Sequence, residues 1–167
     1  HTIRILSAGC AKGQEPYSIA IAVQECMDLL LGFNVEIIAF DVCASGLQYA
    51  QQGVYRTPEM RGLNAQRKER FFCRERADWK LKPQIVEMVS FKHQNLTEVL
   101  YEKAFDLIFC RNVTIYFDSA TAQKTIGKLT TLLNPGGHLF AGHAESYINN
   151  SLKLKPVWFG KALTYRR

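Results

Sequence analysis

Ser7-Ala8-Gly9-Cys10-Ala11-Lys12-Gly13-Gln14-Glu15-Pro16-Tyr17-Ser18 joins an apolar run to an amphipathic one. Upstream, Ile3 to Ala8 reads as a first strand. Downstream, Glu15 to Leu31 reads as a helix, with Pro16 in the first turn, where a missing N–H costs nothing, and Gly32 as its stop. A strand that passes through a glycine-bearing turn into a helix is the opening unit of an α/β sheet. Gly9 and Gly13 permit a ligand to approach the backbone closely at the strand's carboxyl end. The loop is not a phosphate-binding P-loop, because Lys-Ser or Lys-Thr does not follow Gly13. Nor is it G-x-G-x-x-G, which disfavours a pyrophosphate. A plain tight turn would use the same two glycines.

The rest of the chain repeats this alternation of short apolar runs with longer amphipathic ones, the sign of a mostly parallel sheet with helices on both faces. Val35 to Asp41 is a second strand, fully apolar at Ile37-Ile38-Ala39-Phe40 and so interior. Ala44 to Gln52 is a helix that ends at Gly53. Residues 54–84 break the pattern: between Arg61 and Lys82 stand eight basic and three acidic residues. Asn64 caps a helix to Phe72 there, and Trp79–Pro83 carries an edge hairpin. A helix plus a small β-subdomain, over about 64–92, is expected as an insertion. Val86 to His93 and Phe105 to Cys110 are the third and fourth strands. A helix from Ser119 to Leu133 is broken by the turn signal Asn134-Pro135-Gly136-Gly137, and Leu139 to Gly142 begins a fifth strand. Pro156 to Tyr165 supplies a closing antiparallel pair.

Composition narrows the function classes. The 167 residues are 47% hydrophobic and 22% charged, which suits one folded domain over 1–167 and excludes wholesale disorder. A net charge of +6 points to an acidic partner or anionic ligand without requiring nucleic acid. No apolar run reaches the roughly 18–20 residues of a membrane span, so direct membrane insertion is not expected. The five cysteines, Cys10, Cys26, Cys43, Cys73 and Cys110, are odd in number and include no C-x-x-C pair. They read as small buried side chains in a reducing, cytoplasmic setting, with no metal site. The abrupt start at His1 suggests a domain cut from a longer protein.

Asp41 sharpens the reading. A carboxylate that closes the second strand of such a sheet can accept hydrogen bonds from both ribose hydroxyls, a role compatible with capping the helix near Ala44. A glycine loop without phosphate chemistry, beside a ribose-binding acid, favours a nucleoside ligand with little or no phosphate. S-adenosylmethionine fits that description.

Four strings then occur in order: Gly13-Gln14-Glu15-Pro16-Tyr17-Ser18-Ile19-Ala20, Gly53-Val54-Tyr55-Arg56, Phe109-Cys110-Arg111-Asn112-Val113-Thr114-Ile115-Tyr116-Phe117 and Gly142-His143-Ala144-Glu145-Ser146. Together they resemble the C-terminal, SAM-binding domain of the CheR-type chemotaxis receptor glutamate O-methyltransferases, from about Ile3 to Tyr165. The resemblance implies a Rossmann-like class I SAM-dependent methyltransferase fold. It also implies S-adenosylmethionine as cofactor and S-adenosylhomocysteine as product, with cytoplasmic helices of methyl-accepting receptors as partners and no nucleic acid. By the same resemblance Gly9 and Gly13 lie against the cofactor, Glu15 contacts its methionine end and Asp41 its ribose. Asn95 and Leu96 flank the adenine, Arg111 and Asn112 line the site, and Tyr116 and Arg111 serve the methyl transfer. Turn chemistry for Asn95 and Asn112, and packing for Tyr116, are the plain alternatives. His143 and Glu145 follow the fifth strand, equally as structural residues.

The expected chemistry needs no acid–base pair, because a glutamate with a pKa near 4.3 is already an anionic nucleophile at neutral pH. This chain departs from the family pattern at Lys12, which would repel a sulfonium if it pointed inward, and at Ala144, where the family has serine. The family's N-terminal helical domain, with an arginine at the active site, is expected to be absent. The basic segment Arg61–Lys82 reads as a docking face for an acidic receptor helix or as a solvated face. Two other functions stand beside methyl transfer to receptors. One is a non-catalytic module that binds S-adenosylmethionine or its product; the other, a nucleic-acid methyltransferase, lacks its usual Asn/Asp-Pro-Pro-aromatic string after the fourth strand.

Overall fold

The computed structural model describes residues 1–98, 104–142 and 154–167. Strand β1 (Thr2–Ala8) leads through the glycine turn into helix α1 (Gln14–Glu25), and β2 (Asn34–Asp41) into α2 (Ala44–Gln52). After the inserted segment come β6 (Val89–His93), β7 (Phe105–Cys110), helix α5 (Ser119–Thr131), β8 (Leu133–Ala141) and the hairpin β9 (Lys155–Phe159) and β10 (Ala162–Arg166). The seven strands lie in the order β6-β2-β1-β7-β8-β10-β9. The first five are parallel, and the last two pair antiparallel. The chain winds outward from β1 through β2 to β6, then crosses back to β7, so the order reverses between β1 and β7. A ligand crevice is expected above that reversal.

Side chains alternate between two cores, one on each face, as the period of two requires. Ile5, Ile37 and Ala39 join a cluster with Tyr17, Ile21, Leu47, Phe71 and Ile85. Leu6, Phe40 and Ile108 join the opposite one with Ile126, Leu129 and Leu139 from α5 and β8. Helix α5 is fixed at its start by Asp118, whose carboxylate accepts the Thr121 N–H at 2.9 Å. Helix α1 packs through Tyr17, whose hydroxyl donates to the Ala50 carbonyl at the end of α2.

The inserted segment forms a separate antiparallel sheet in the order β3-β5-β4, built from β3 (Val54–Arg56), β4 (Phe72–Glu75) and β5 (Asp78–Leu81). Helix α3 (Ala65–Phe71) precedes β4 and is capped by Asn64 as expected, its side chain accepting the Arg67 N–H. The small sheet thus starts at Val54, ahead of the expected 64–92 span, while Val89–His93 belongs to the main sheet. Pro83–Val86 is a short helix, α4, which Pro83 at its first position favours, so the third strand starts at Val89 rather than at Val86.

Two other boundaries move. Helix α1 stops at Glu25, and Met27–Leu30 tightens into a 3-10 turn, so Leu29 and Leu31 are 84% and 81% exposed instead of extending the buried face. Asn134-Pro135-Gly136-Gly137 does not break the chain into a turn but lies within β8, beside a register shift opposite Phe105 and Leu107. Gly136 donates to the Arg167 carbonyl and Arg167 to that of Gly137, so the chain's last residue pairs with this irregular stretch.

Candidate functional site

A cavity of about 360 Å³ opens over the carboxyl ends of β1, β2, β6 and β7, where the strand order reverses. Its size falls within the usual range for small-ligand pockets. Of the residues singled out from sequence, Gly9, Asp41, Asn95, Leu96, Asn112 and Tyr116 line it. Gly13, Glu15 and Arg111 do not. Glu15 and Arg111 instead border a second groove of about 430 Å³, with Ile19, Leu107 and Phe109 along its walls. Gly13 sits buried behind the loop. His143 to Ser146 lie outside the described residues.

The loop between β1 and α1 is shaped by its backbone. Gly9 and Cys10 both donate to the Phe40 carbonyl, and Gly13 donates to that of Cys10. At Gly9 φ is +82°, and a Cβ there would stand 2.4 Å from Val113 Cγ2, so the missing side chain is what lets the β7 loop close over this corner. Ala11 also takes a left-handed conformation, at φ +48°, unusual for a residue with a Cβ. That conformation aims its N–H at Asp41 Oδ2, 2.7 Å away, while the Cys43 N–H donates to Oδ1 at 2.8 Å. Asp41 therefore clamps the glycine loop to Cys43, the residue before α2, but the helix itself has no side-chain cap, against the capping role expected of Asp41.

On the far wall, Asn112 is left-handed at φ +58°, which asparagine tolerates, and leads into the 3-10 turn Thr114–Tyr116. Tyr116 is 82% exposed at the mouth, so packing does not explain it. The Asn95 carbonyl oxygen accepts the Thr97 N–H and hydroxyl, the turn chemistry foreseen as the plain alternative. His93 Nε2 donates to the Val42 carbonyl at 2.8 Å, closing the rim between β6 and β2.

Lys12 turns away from the cavity. Its ammonium is 3.9 Å from Glu59 Oε1 and 5.1 Å from the centre of the Tyr49 ring, on the side of the small sheet. Burial, with Asp41 adding to it, pushes the Cys10 thiol up to about 12, so this cysteine is inert at neutral pH, as its apolar setting suggests. Cys43, by contrast, is exposed, and the Ser45 hydroxyl and Gly46 amide hold its thiol below the ordinary value. Cys26 and Cys73 are exposed too, against the expectation that the cysteines are buried; only Cys10 and Cys110 are. Among the described residues no cluster of three or more metal-ligating side chains occurs.

Ala11, Val42, Gln94, Val113 and Phe117 complete the lining and were not singled out. Gln94 and Val113 adjoin residues that were. Nothing in the sequence marks Ala11, whose role lies in a backbone angle.

The SAM binding domain of the CheR methyltransferases matches this chain over residues 1–160. Among characterised relatives, the chemotaxis protein methyltransferase of Salmonella typhimurium is 36% identical over 152 residues, 87% of this chain and 52% of that protein. Chemotaxis protein methyltransferase 2 of Pseudomonas aeruginosa is 38% identical over 163 residues, 93% of this chain and 57% of its own length. The chain thus spans little more than half of these relatives. Among solved structures, magnesium protoporphyrin IX methyltransferase from Synechocystis PCC 6803 with bound SAM superposes with a TM-score of 0.60 at 16% identity, over 99% of this chain and 70% of that one. N-methyltransferase NodS from Bradyrhizobium japonicum, in complex with S-adenosyl-L-homocysteine, gives 0.58 at 16% identity, over 99% and 78%. At such identities these two speak for the fold, a class I SAM-dependent methyltransferase fold, as the resemblance carried by the four strings implied.

Proposed function

This chain belongs to the CheR methyltransferase family through its SAM-binding domain, and from that premise we propose that it holds S-adenosylmethionine in the cavity over β1, β2, β6 and β7. On this reading it transfers the methyl group to glutamate side chains of chemotaxis receptors. The observation that carries the reading is the state of Asp41. A carboxylate has about four acceptor positions. The Ala11 and Cys43 amides use two of them, which leaves two for the neighbouring hydroxyls of a ribose.

The other residues present suit the same guest. Val42, Leu96, Val113 and Phe117 give the cavity apolar walls for an adenine. The one lysine of the glycine loop is taken up by Glu59, so the repulsion it threatened toward a sulfonium does not arise. That removes one ground for a non-catalytic module. We assign Gly9 and Gly13 to close backbone approach, Asp41 to the ribose, and Asn95 and Leu96 to the adenine edge. Glu15, beside the neighbouring groove, is assigned to the methionine end. Arg111 and Asn112 line the site at the end of β7, Tyr116 faces the methyl group, and Arg111 attracts the acceptor carboxylate. Glu15 is oriented for this by the Ser7 hydroxyl, which donates to its Oε1 at 2.8 Å.

When bound, S-adenosylmethionine supplies a methyl group on a positively charged sulfur. The protein's task is alignment and exclusion of water. The incoming glutamate is already ionised, so no base is needed and no proton moves. Its oxygen forms the bond to the methyl carbon as the carbon–sulfur bond breaks and that electron pair stays on sulfur. The products are a methyl ester and S-adenosylhomocysteine. Because two charges cancel, a partly dry cleft and in-line approach supply the acceleration. The acceptor is a receptor's cytoplasmic signalling helix, which places the reaction in the cytoplasm. Among the described residues no helix is long and apolar enough to cross a membrane.

Labelled S-adenosylmethionine incubated with the protein and a receptor signalling fragment should yield base-labile methyl esters on glutamate. Binding without transfer in that mixture would support the non-catalytic module, and failure to bind either S-adenosylmethionine or S-adenosylhomocysteine would refute both readings.

A further inference from the structure

The small antiparallel sheet is joined to the glycine loop by one buried hydroxyl. Tyr55, in the middle of β3, is 3% exposed, and its phenol donates to the Lys12 carbonyl at 2.7 Å. The ring cannot swing aside, because Tyr17 packs against it at 6.3 Å and Tyr49 at 5.8 Å between centres, both edge-on. Gly13 makes the approach possible: a Cβ there would stand 3.1 Å from the Tyr55 oxygen and 2.7 Å from Ala50 Cβ. The next grip is ionic. Glu59 faces the Lys12 ammonium while accepting the Tyr49 hydroxyl at 2.8 Å and the Arg56 N–H at 2.9 Å.

The peptide after Lys12 is thus held from the small sheet. One residue earlier, Ala11 takes its left-handed conformation and donates to Asp41. A non-glycine residue keeps such an angle only where its surroundings impose it. The turn bond from the Gly13 N–H to the Cys10 carbonyl, Asp41 on one side and Tyr55 on the other together hold it. Burial pushes the Tyr55 hydroxyl well above its ordinary pKa, so it stays a donor throughout the physiological range.

We propose that Tyr55 is a positioning residue for the nucleoside cavity: its hydroxyl fixes the Lys12–Gly13 peptide so that Ala11 presents its N–H to Asp41, and the inserted sheet thereby sets the affinity of the cavity. The inference rests on the cavity being the S-adenosylmethionine site. It also implies the converse, since coupling between two sites is reciprocal: a nucleoside in the cavity stiffens the small sheet around Tyr55.

Tyr55→Phe tests it with the ring, and so the packing, kept. Two quantities are read on the intact chain: the affinity for S-adenosylhomocysteine by calorimetry, and ligand-free amide exchange at residues 10–13. The loss of one hydrogen bond should weaken binding about three- to tenfold. Exchange at Ala11 should quicken, while amides in β1 and α5 keep wild-type rates. Unchanged affinity together with unchanged exchange at Ala11 overturns the proposal. So does a lower melting temperature with an undisturbed loop, which would make Tyr55 merely structural. Wild-type protein that does not bind S-adenosylhomocysteine defeats the cavity reading and this inference with it. Wild type and Tyr55→Phe binding equally well defeats this inference alone.

Discussion

Replacing Asp41 with alanine removes two bonds visible in the structure and two that a ribose would make. The visible pair, from the Ala11 and Cys43 amides at 2.7 and 2.8 Å, ties the glycine loop to the residue before α2. Both amides are on exposed residues. Water therefore replaces the lost carboxylate readily, and each bond is worth about 0.5–1.5 kcal/mol net, nearer the lower figure. The chain should stay folded and melt a few degrees lower. The two ribose bonds are worth a similar amount each, so binding should weaken by about 1–3 kcal/mol, or roughly 5- to 150-fold in Kd. Asp41→Asn sharpens the test. An amide keeps the shape of the carboxylate but points an N–H₂ at one of two backbone donors, so it should bind no better than the alanine variant. Calorimetry with S-adenosylhomocysteine measures both variants, and a thermal melt of each reports the loop. An Asp41→Ala chain that melts lower yet binds within about twofold of wild type would show that the acid serves the loop and not the ligand, and the ribose argument would fail.

Gly9→Ala forces a Cβ to 2.4 Å from Val113 at a positive φ; the backbone angle alone costs about 1–2 kcal/mol, so the melting temperature should fall by several degrees and S-adenosylhomocysteine binding with it, and Val113→Ala in the same chain should recover part of both. Burial raises the Glu59 pKa, but hydrogen bonds from Arg56 and Tyr49, with the Arg56 charge, outweigh it and leave the group below its ordinary value. Its stabilising contribution is therefore full above the ordinary carboxylate range and lost as pH falls through the lowered folded value, and acid melts of Glu59→Gln should show a shallower decline than wild type. Alkylation followed by peptide mapping at neutral pH should find Cys43 the fastest of the cysteines and Cys10 unreacted, the order set by their opposite thiol shifts.

Those parts of the fold governed by local chemistry were legible in the sequence. Asn64 caps its helix with the side-chain bond its type favours, and Gly53 ends α2 in the left-handed conformation that glycine allows. The misplaced boundaries were set by partners distant in sequence. Asn134-Pro135-Gly136-Gly137 carries every sign of a turn, yet pairing with Arg167 holds it in a strand. The leucines at 29–31 extend a helical pattern on paper, but Leu29 and Leu31 find no core to enter. The site divides the same way. Gly9, Asp41 and Asn112 stand at strand ends, where residue type and position speak together. Tyr55 was visible only as part of a recognisable string, because its significance is a bond made 43 positions away. Lys12 looked like an obstacle until Glu59, on a different segment, accounted for it.

Asp41's clamp has a consequence for turnover. On the proposed reading, Asp41, Asn95 and Leu96 address the guest's sugar and base and Glu15 its methionine end, all identical before and after the methyl group leaves, and only Tyr116 faces what changes. Such a seat cannot tell spent from fresh cosubstrate, except through the single charge that disappears from sulfur. The chain should therefore idle whenever the demethylated form accumulates, and its pace in the cell would follow the ratio of the two compounds rather than the supply of either.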